Sequence, residues 1–330
     1  MSNKVLITGS NGFLGSHIVE EAIKYNYNVF AGVRKSSNLQ YLKDPKINFL
    51  YFSFEDEENL RKQLRSHKFE YIILNAGITH AEKKETYFKI NAAYNRKLCK
   101  ILIEENAIPR KLVLVSSLAS YGPADYQVKQ VLDKESTPHP VTWYGESKLQ
   151  VEQFMDAFSM IPSIILRPTA VYGPRDYAML DVYKAINMGL APKVGFGKQD
   201  MTFIYVKDLA KLIISTLESR AVNKGYFVSD GEIYPSDIYY GKISKILNKK
   251  ALKVTIPITM MKVIAGVSEI IGKIRGQYPI LNRNKVKEYF ARSFAVDTTD
   301  IKNDFNFVPE FTLEEGLKET INWCKTNKLL

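Results

Sequence analysis

Tyr144 and Lys148 stand four residues apart in the stretch WYGESKLQ, residues 143–150. On a helix that spacing puts both side chains on one face, and a phenol beside an ammonium is a proton-transfer pair. A phenol with its ordinary pKa of ~10 exchanges protons poorly at neutral pH, and a positive neighbour favours the phenolate. Such a tyrosine can protonate the oxygen of a carbonyl whose carbon accepts hydride, and can take the proton back in the reverse direction. The pair is equally compatible with an ordinary helix face, because the chain holds 20 tyrosines. The elements around it must decide.

The chain opens on KVLIT, residues 4–8, a short apolar run typical of a buried parallel strand, and GSNGFLG follows at once with Gly9, Gly12 and Gly15. The next stretch, SHIVEEAIKYNYNV, carries Ile18, Val19, Ala22 and Ile23 as an apolar helical face before a second strand begins near Val29. Strand, glycine turn, helix, strand is the context of a dinucleotide site. Gly9 permits the tight turn, Gly12 lets backbone approach a pyrophosphate, and Gly15 allows close packing of helix on sheet. The helix N-terminus then offers free amides to phosphate. Alternation continues through INFLYF (47–52), a charged helix near 56–67, YIIL (71–74), a helix near 84–105 and KLVLVSS (111–117). That order predicts a doubly wound parallel α/β sheet, the Rossmann class. Ligands bind at the carboxyl ends of such strands, which is where NAG (75–77) and SSLASYG (116–122) fall.

The second strand ends FAGVRKSSN, where a site for NAD usually carries an acid for the ribose hydroxyls; here no acid follows before Asp44. Arg34 and Lys35, with Ser36 and Ser37 beside them, can instead grip a 2′-phosphate through charge-assisted hydrogen bonds. NADP(H) is therefore the expected cofactor, with NAD(H) the alternative if the two cations are ordinary loop residues.

TGSNGFLG has its first two glycines three positions apart, and it resembles the T-G-x-x-G-x-x-G turn of the extended short-chain dehydrogenase/reductases, the epimerase/dehydratase family. NAG, INAAYNRKL, SSLASYG, YGESK, RPTAVYGPRD, FIYVKDLA and FNFVPEFTLEEGLKETINW follow in that family's order and spacing, so the resemblance covers almost the whole chain. It implies an NAD(P)-dependent enzyme and a homodimer, with Ser117, Tyr144 and Lys148 as the catalytic triad. Tyr144 would be acid in reduction and base in oxidation. Lys148 would tune it and hold the nicotinamide ribose, and Ser117 would hydrogen-bond the substrate oxygen. Asn91 would support a proton relay through Lys148, or is a helix-interior asparagine bonding backbone. For the cofactor the resemblance implies contacts from Gly9, Ser10, Asn11, Gly12, Phe13, Leu14, Gly15, Arg34, Lys35, Asn75, Ala76, Gly77, Tyr144, Lys148 and Pro168.

Departures from the family pattern bear on the substrate. Members that handle nucleotide sugars often carry an asparagine and an arginine for the diphosphate where this chain has Ala170 and Met201. Methionine cannot imitate a bidentate phosphate contact, which leaves Arg175 as the nearby cation for an anion. Leu118 and Ala119 replace the acidic pair of the sugar dehydratases. Ser53 and Phe54 stand where relatives have an adenine-contacting acid, and Tyr94 and Asn95 replace a common Gly-Thr pair. The pattern is nearest the hydroxysteroid dehydrogenase and dihydroflavonol reductase-like branch. The expected reaction interconverts a secondary alcohol and a ketone on an apolar small molecule, sterol-like or polyketide-like. A nucleotide-sugar 4-epimerase and a non-catalytic NADP-binding redox sensor are the alternatives, and the intact Ser117, Tyr144, Lys148 set argues against the sensor.

The stretch IPITMMKVIAGVSEIIGKIRG (256–276) places Met260, Met261, Ile264, Val267, Ile271 and Ile274 along one helical stripe. Lys262, Glu269 and Lys273 within it rule out a comfortable transmembrane span. It reads as a core-facing helix, a lid over an apolar pocket, or a helix making peripheral contact with a membrane surface.

Composition bounds the rest. The chain has 330 residues, 45% hydrophobic and 25% charged, which suits a globular protein with a large core. Cys99 and Cys324 make neither a disulfide scaffold nor a paired ligand spacing. The histidines at 17, 67, 80 and 139 have no ligand spacing either, so surface or loop positions and no metal are expected. The N-terminal apolar run is too short for a signal peptide, and a cytoplasmic location is expected. The net charge of +11, read as spread along the chain without a nucleic-acid motif, predicts no nucleic-acid partner. It suits a surface that attracts anionic ligands or membranes. The expected division is a Rossmann domain at 1–174, with 201–231 returning to it, and a substrate-binding part at 175–200 and 232–330.

Overall fold

The computed structural model describes residues 3–124, 130–195, 197–276, 278–279 and 281–330. Its centre is a seven-stranded sheet: β1 Lys4–Thr8, β2 Asn28–Val33, β3 Asn48–Tyr51, β4 Tyr71–Leu74, β5 Lys111–Val115, β6 Ser163–Pro168 and β7 Lys224–Val228. The strands lie in the order β7-β6-β5-β4-β1-β2-β3, with every adjacent pair parallel. Alternation across the pleat sends Val5, Ile7, Ile73, Val113 and Ile164 to one face and Leu6, Ile72, Leu112, Leu114 and Ile165 to the other, and both faces are buried. Helices Phe13–Lys24 and Val206–Thr216 cover the first face; Glu57–His67, Tyr94–Glu104 and Trp143–Ala157 cover the second. Burial on both sides is why these strands read as unbroken apolar runs.

The fold is the Rossmann arrangement expected from the strand–helix alternation. β1 has β2 on one side and β4 on the other, so successive connections leave in opposite directions and a crevice opens at the carboxyl ends. The glycine turn after β1 and the Asn75–Gly77 turn after β4 both meet it.

The helix expected near 84–105 is in three pieces: an α-turn Lys84–Tyr87, a π-helical segment Phe88–Ala93 and the α-helix Tyr94–Glu104. The π segment carries Asn91, and Asn95 Nδ2 donates to the Asn91 carbonyl at 2.8 Å. Segments of this kind recur at functional sites.

The stretch GYFVSD supplies β7, whereas MTFIYV supplies Phe203–Tyr205, which pairs in parallel with Ala170–Tyr172 outside the large sheet. Helices Leu180–Asn187, Ser236–Leu247 and Leu313–Thr326 pack there on a third core dominated by buried Tyr172, Tyr183, Tyr205 and Tyr239. The last helix starts on a reciprocal cap between Thr312 and Glu315.

Helix Ile258–Ile274 divides its apolar residues between two faces. Met261, Ala265, Gly266 and Gly272 are buried, but Met260, Val267, Ile271 and Ile274 of the expected stripe are exposed, together with Val263 and Ile270. The reason is that, among the described residues, the helix meets apolar side chains on one side, those of Val194, Ile256, Leu281 and Val286. Among the described residues no helix is long and apolar enough to cross a membrane.

Candidate active site

The glycine turn and the neighbouring strand end are built against each other. Gly9 has φ +66°, and a Cβ there would lie 2.8 Å from the Ala76 Cα. A Cβ on Gly15 would lie 2.1 Å from the Gly9 carbonyl oxygen. Gly15 is therefore required by the turn itself, more directly than by packing of helix on sheet. Thr8 Oγ1 accepts from the Asn75 and Ala76 amides at 3.0 Å each, and Asn75 Nδ2 donates to the Gly9 carbonyl at 3.4 Å. Ser10 Oγ donates to the Ile7 carbonyl at 2.5 Å, which leaves Asn11 and Gly12 at the mouth of the turn. Helix Phe13–Lys24 then starts on Gly12 with no side-chain cap. The first-turn amides of Phe13, Leu14 and Gly15 have no helical acceptor, the first helical bond being that of the Ser16 amide to the Gly12 carbonyl. This cradle fits a dinucleotide pyrophosphate.

Tyr144 and Lys148 lie in the first two turns of helix Trp143–Ala157, whose cap Thr142 accepts from the Gly145 amide at 3.2 Å. Ser117, just past β5, heads the 3-10 turn Leu118–Ser120; its Oγ accepts from the Ala119 amide at 3.2 Å, and its side chain is near enough to the Tyr144 phenol to favour the phenolate. The buried Lys148 Nζ sits 5.9 Å from the centroid of the Tyr144 ring and donates to the Val115 carbonyl at 2.9 Å. A Cβ on Gly77 would come 3.6 Å from that Nζ. Ser117, Tyr144 and Lys148 thus stand together beside the turn that the glycine cradle touches.

The electrostatics differ from the simple expectation that Lys148 lowers the Tyr144 pKa. Burial raises the phenol above its ordinary value; the Ser117 side chain and then the Lys285 cation pull it down. Burial also lowers the Lys148 ammonium to about 8, against the pull of Glu152. Its hydrogen bond to the Val115 carbonyl ties it to the strand end.

Asn91 is fully buried, and both ends of its amide are engaged. Oδ1 accepts from the Ile78 amide at 2.8 Å, and Nδ2 donates to the Ile78 carbonyl and to Ser147 Oγ at 3.0 Å each. It fastens the strand-end turn to the helix that carries Tyr144 and Lys148.

Two groups of residues escaped the sequence reading. Glu152, one helical turn beyond Lys148, is buried, accepts from Ser116 Oγ, and pairs with Arg167 at 2.8 Å. The i, i+4 step from Lys148 was a usable signal for it. The other group is Asn284, Lys285 and Glu288: Asn284 Oδ1 accepts from the Trp143 amide at 2.9 Å, and Glu288 Oε1 accepts from Thr142 Oγ1 at 3.2 Å. No local pattern links these residues to a helix so far upstream.

Arg34 and Lys35 are exposed just beyond the end of β2, where Ser37 Oγ accepts from the Arg34 amide at 3.0 Å. Pro168 ends β6 in register with Val228. Ala170 and Met201 are half-buried against the tyrosine-rich core. Arg175, expected to be available to an anion, is instead engaged inside the protein. Its guanidinium donates to Ser16 Oγ at 2.9 Å, pairs with Glu20, and lies 4.7 Å from the Tyr41 ring centroid. His17 also departs from expectation, being buried on the first helix with Nε2 3.0 Å from the Pro174 carbonyl. Burial lowers its pKa to about 4.

These features can be set beside known proteins. The family model for the NAD dependent epimerase/dehydratase family matches residues 5–228. The N-acetyl-alpha-D-glucosaminyl-diphospho-ditrans,octacis-undecaprenol 4-epimerase of Escherichia coli O157:H7 is 25% identical over 336 residues, spanning 98% of this chain and 96% of that protein. The decarboxylating sterol-4-alpha-carboxylate 3-dehydrogenase of Dictyostelium discoideum is 22% identical over 335 residues, spanning 96% of this chain and 99% of that one. The UDP-glucuronic acid 4-epimerase of Bacillus cereus, solved in complex with NAD, shares the fold at a TM-score of 0.78 and 20% identity, over 98% of this chain and 99% of that one. The match runs from Val5 in β1 to Val228 at the end of β7, and the chain belongs to the NAD dependent epimerase/dehydratase family as an enzyme of the extended short-chain dehydrogenase/reductase type.

Proposed function

We propose that this enzyme moves hydride at a secondary carbinol carbon of a substrate with an apolar body, interconverting alcohol and ketone with NADP(H). The observation that carries the reading is Ser117, Tyr144 and Lys148 gathered beside the glycine cradle. A nicotinamide cofactor held there would supply or accept the hydride. The amides of Phe13, Leu14 and Gly15 bind its pyrophosphate, and Arg34 and Lys35 take the 2′-phosphate. Asn75, Ala76 and Gly77 line the crevice, with Pro168 at the end of β6.

Ser117 donates to the substrate oxygen and orients it. Tyr144 gives that oxygen its proton in reduction and removes it in oxidation. A neutral phenol is the form that donates, and burial keeps Tyr144 neutral. Lys148 holds the cofactor ribose and adds positive charge as the phenolate develops. Asn91 keeps Ile78 and Ser147 in place beneath it.

The apolar substrate rests on Ala170 and Met201, which offer no charge to a sugar-nucleotide diphosphate; desolvating one without partners is costly. The second reading, sugar 4-epimerisation, is favoured by two of the relatives above. One of them is named for a sugar carried through a diphosphate on undecaprenol, so an apolar body and a sugar are not exclusive. Net cofactor consumption separates the readings, because an epimerase returns the hydride to the same substrate. Following NADPH absorbance against a panel of bulky ketones, with calorimetric titration of UDP- and dTDP-sugars into NADP-loaded protein, tests both. Millimolar or weaker sugar-nucleotide affinity, about −4 kcal/mol or less favourable, is expected. Micromolar binding with no net NADPH loss would replace the reductase with the epimerase.

A further inference from the structure

We propose that the outer face of helix Ile258–Ile274 docks the enzyme on an anionic phospholipid surface. Six apolar side chains, Met260, Val263, Val267, Ile270, Ile271 and Ile274, are between 44% and 81% exposed. At 3.6 residues per turn they fall within about 100° of arc, nearly opposite the buried Met261, Ala265 and Gly272, while Gly266, just beyond one edge of the arc, is covered by the Arg283 side chain. The helix is therefore apolar on two sides, and among the described residues only one of them packs on other apolar side chains.

Charge identifies the occupant of the other. Residues 248–293 carry ten lysines and arginines against two acids, Glu269 and Glu288, which is eight of the eleven net positive charges of the chain. The basic excess is concentrated on this segment and not spread along the sequence. Lys253, Lys273 and Arg283 share their charge with Asp237, Glu82 and Glu269, while Lys249, Lys250, Arg275, Lys287 and Arg292 are further exposed cations. On the helix itself Lys273 stands beside one edge of the ridge and Arg275, at the helix end, beside the other; an apolar ridge flanked by cations is the pattern of a helix lying in a bilayer interface, and anionic headgroups complete it. A second copy of the same face would bring two such basic segments together, and like charges opposed across an interface are unfavourable.

The placement suits a substrate delivered from the bilayer. The buried side of the helix packs on Val286, and the turn holding Val286 bonds to the start of the helix that carries Tyr144. The docking surface stands independently of the turnover reading, because it is measured without substrate.

The test is co-sedimentation of the full chain with vesicles of phosphatidylcholine, with and without phosphatidylglycerol, at low and high salt. The expected result is binding to the anionic vesicles alone, weakened by salt. An Ile270→Ser/Ile274→Ser variant, altered only at exposed positions, is expected to partition about tenfold less with an unchanged melting curve. Failure to sediment with anionic vesicles overturns the proposal, as does full binding by the variant, which would show charge acting elsewhere. Sedimentation velocity supplies the third outcome: a dimer abolished in the variant, without vesicle binding, assigns the face to a second copy.

Discussion

Replacing Lys148 by methionine should make the enzyme more stable and less active, and the amount can be worked from the structure. Burial brings the ammonium from 10.5 down to about 8, so at neutral pH the folded state carries a charge at a cost of about 3 kcal/mol. Methionine removes the charge and roughly fills the volume. It also deserts the Val115 carbonyl, which loses its 2.9 Å donor, and an unmade hydrogen bond of that kind costs about 1–2 kcal/mol. Arg167 and Ser116 still satisfy Glu152. The net expectation is a gain of about 1–2 kcal/mol at pH 7. Its sign changes with pH in a defined way. Because the folded pKa lies below the unfolded one, the wild-type cost is complete below about 8 and fades as pH rises toward 10.5, where the unfolded lysine also loses its proton. Urea denaturation of both proteins across that range should show the variant's advantage shrinking between those values and turning into a deficit. A difference that stays flat with pH, or a variant already less stable at pH 7, would refute the idea that Lys148 is held charged against its surroundings.

Tyr144→Phe should lower turnover by at least about a hundredfold, the usual worth of a positioned acid–base group. It should leave cofactor affinity and melting temperature nearly unchanged; near-normal kcat on a verified substrate would place the proton donor elsewhere. Arg34→Ala should weaken NADPH binding about tenfold, by loss of one charge-assisted hydrogen bond, and spare NADH; fluorescence titration of both nucleotides decides it. Asp176 is buried with its carboxyl pushed up to about 6 and one oxygen without a hydrogen-bond partner among the described residues. Its raised folded value means that stability is greatest with the acid protonated and is lost as pH rises from 3.8 through about 6. Asp176→Asn should flatten that part of the urea-stability profile, by up to about 3 kcal/mol.

The parts of the site visible in the sequence are those with local rules. The i, i+4 step places Tyr144 and Lys148 on one helical face, and the glycine spacing after an apolar run announces the turn. Val5 to Ile7 and Ile72 to Leu74 read as buried strands because both faces of the sheet are covered. What stayed hidden depends on tertiary neighbours. Lys148 was expected to act on the phenol; the strand-end carbonyl that it also bonds is one that no sequence pattern predicts. Asn91 reads as part of a continuous helix; the bonds from its amide to Ile78 and Ser147, within the π segment, appear only in three dimensions. Arg175 looked available for a ligand, yet Ser16 and Glu20, more than 150 residues upstream, already hold it. A stripe on helix Ile258–Ile274 was legible, but periodicity cannot say which of two apolar arcs meets the core.

Asn284 and Glu288 reach the start of the Tyr144 helix across 141 and 146 residues of chain, and this sets an order of events in time. On a ribosome the glycine turn, β1 to β5 and the Thr142 cap are all made from sequence that emerges early. The anchor on the Trp143 amide and the Lys285 charge beside the phenol must wait until nearly nine-tenths of the chain has been synthesised. Closing so long a loop is slow compared with forming neighbouring strands and helices. A nascent chain therefore gains a nucleotide cradle before it gains a finished tyrosine, and competence to bind precedes competence to react.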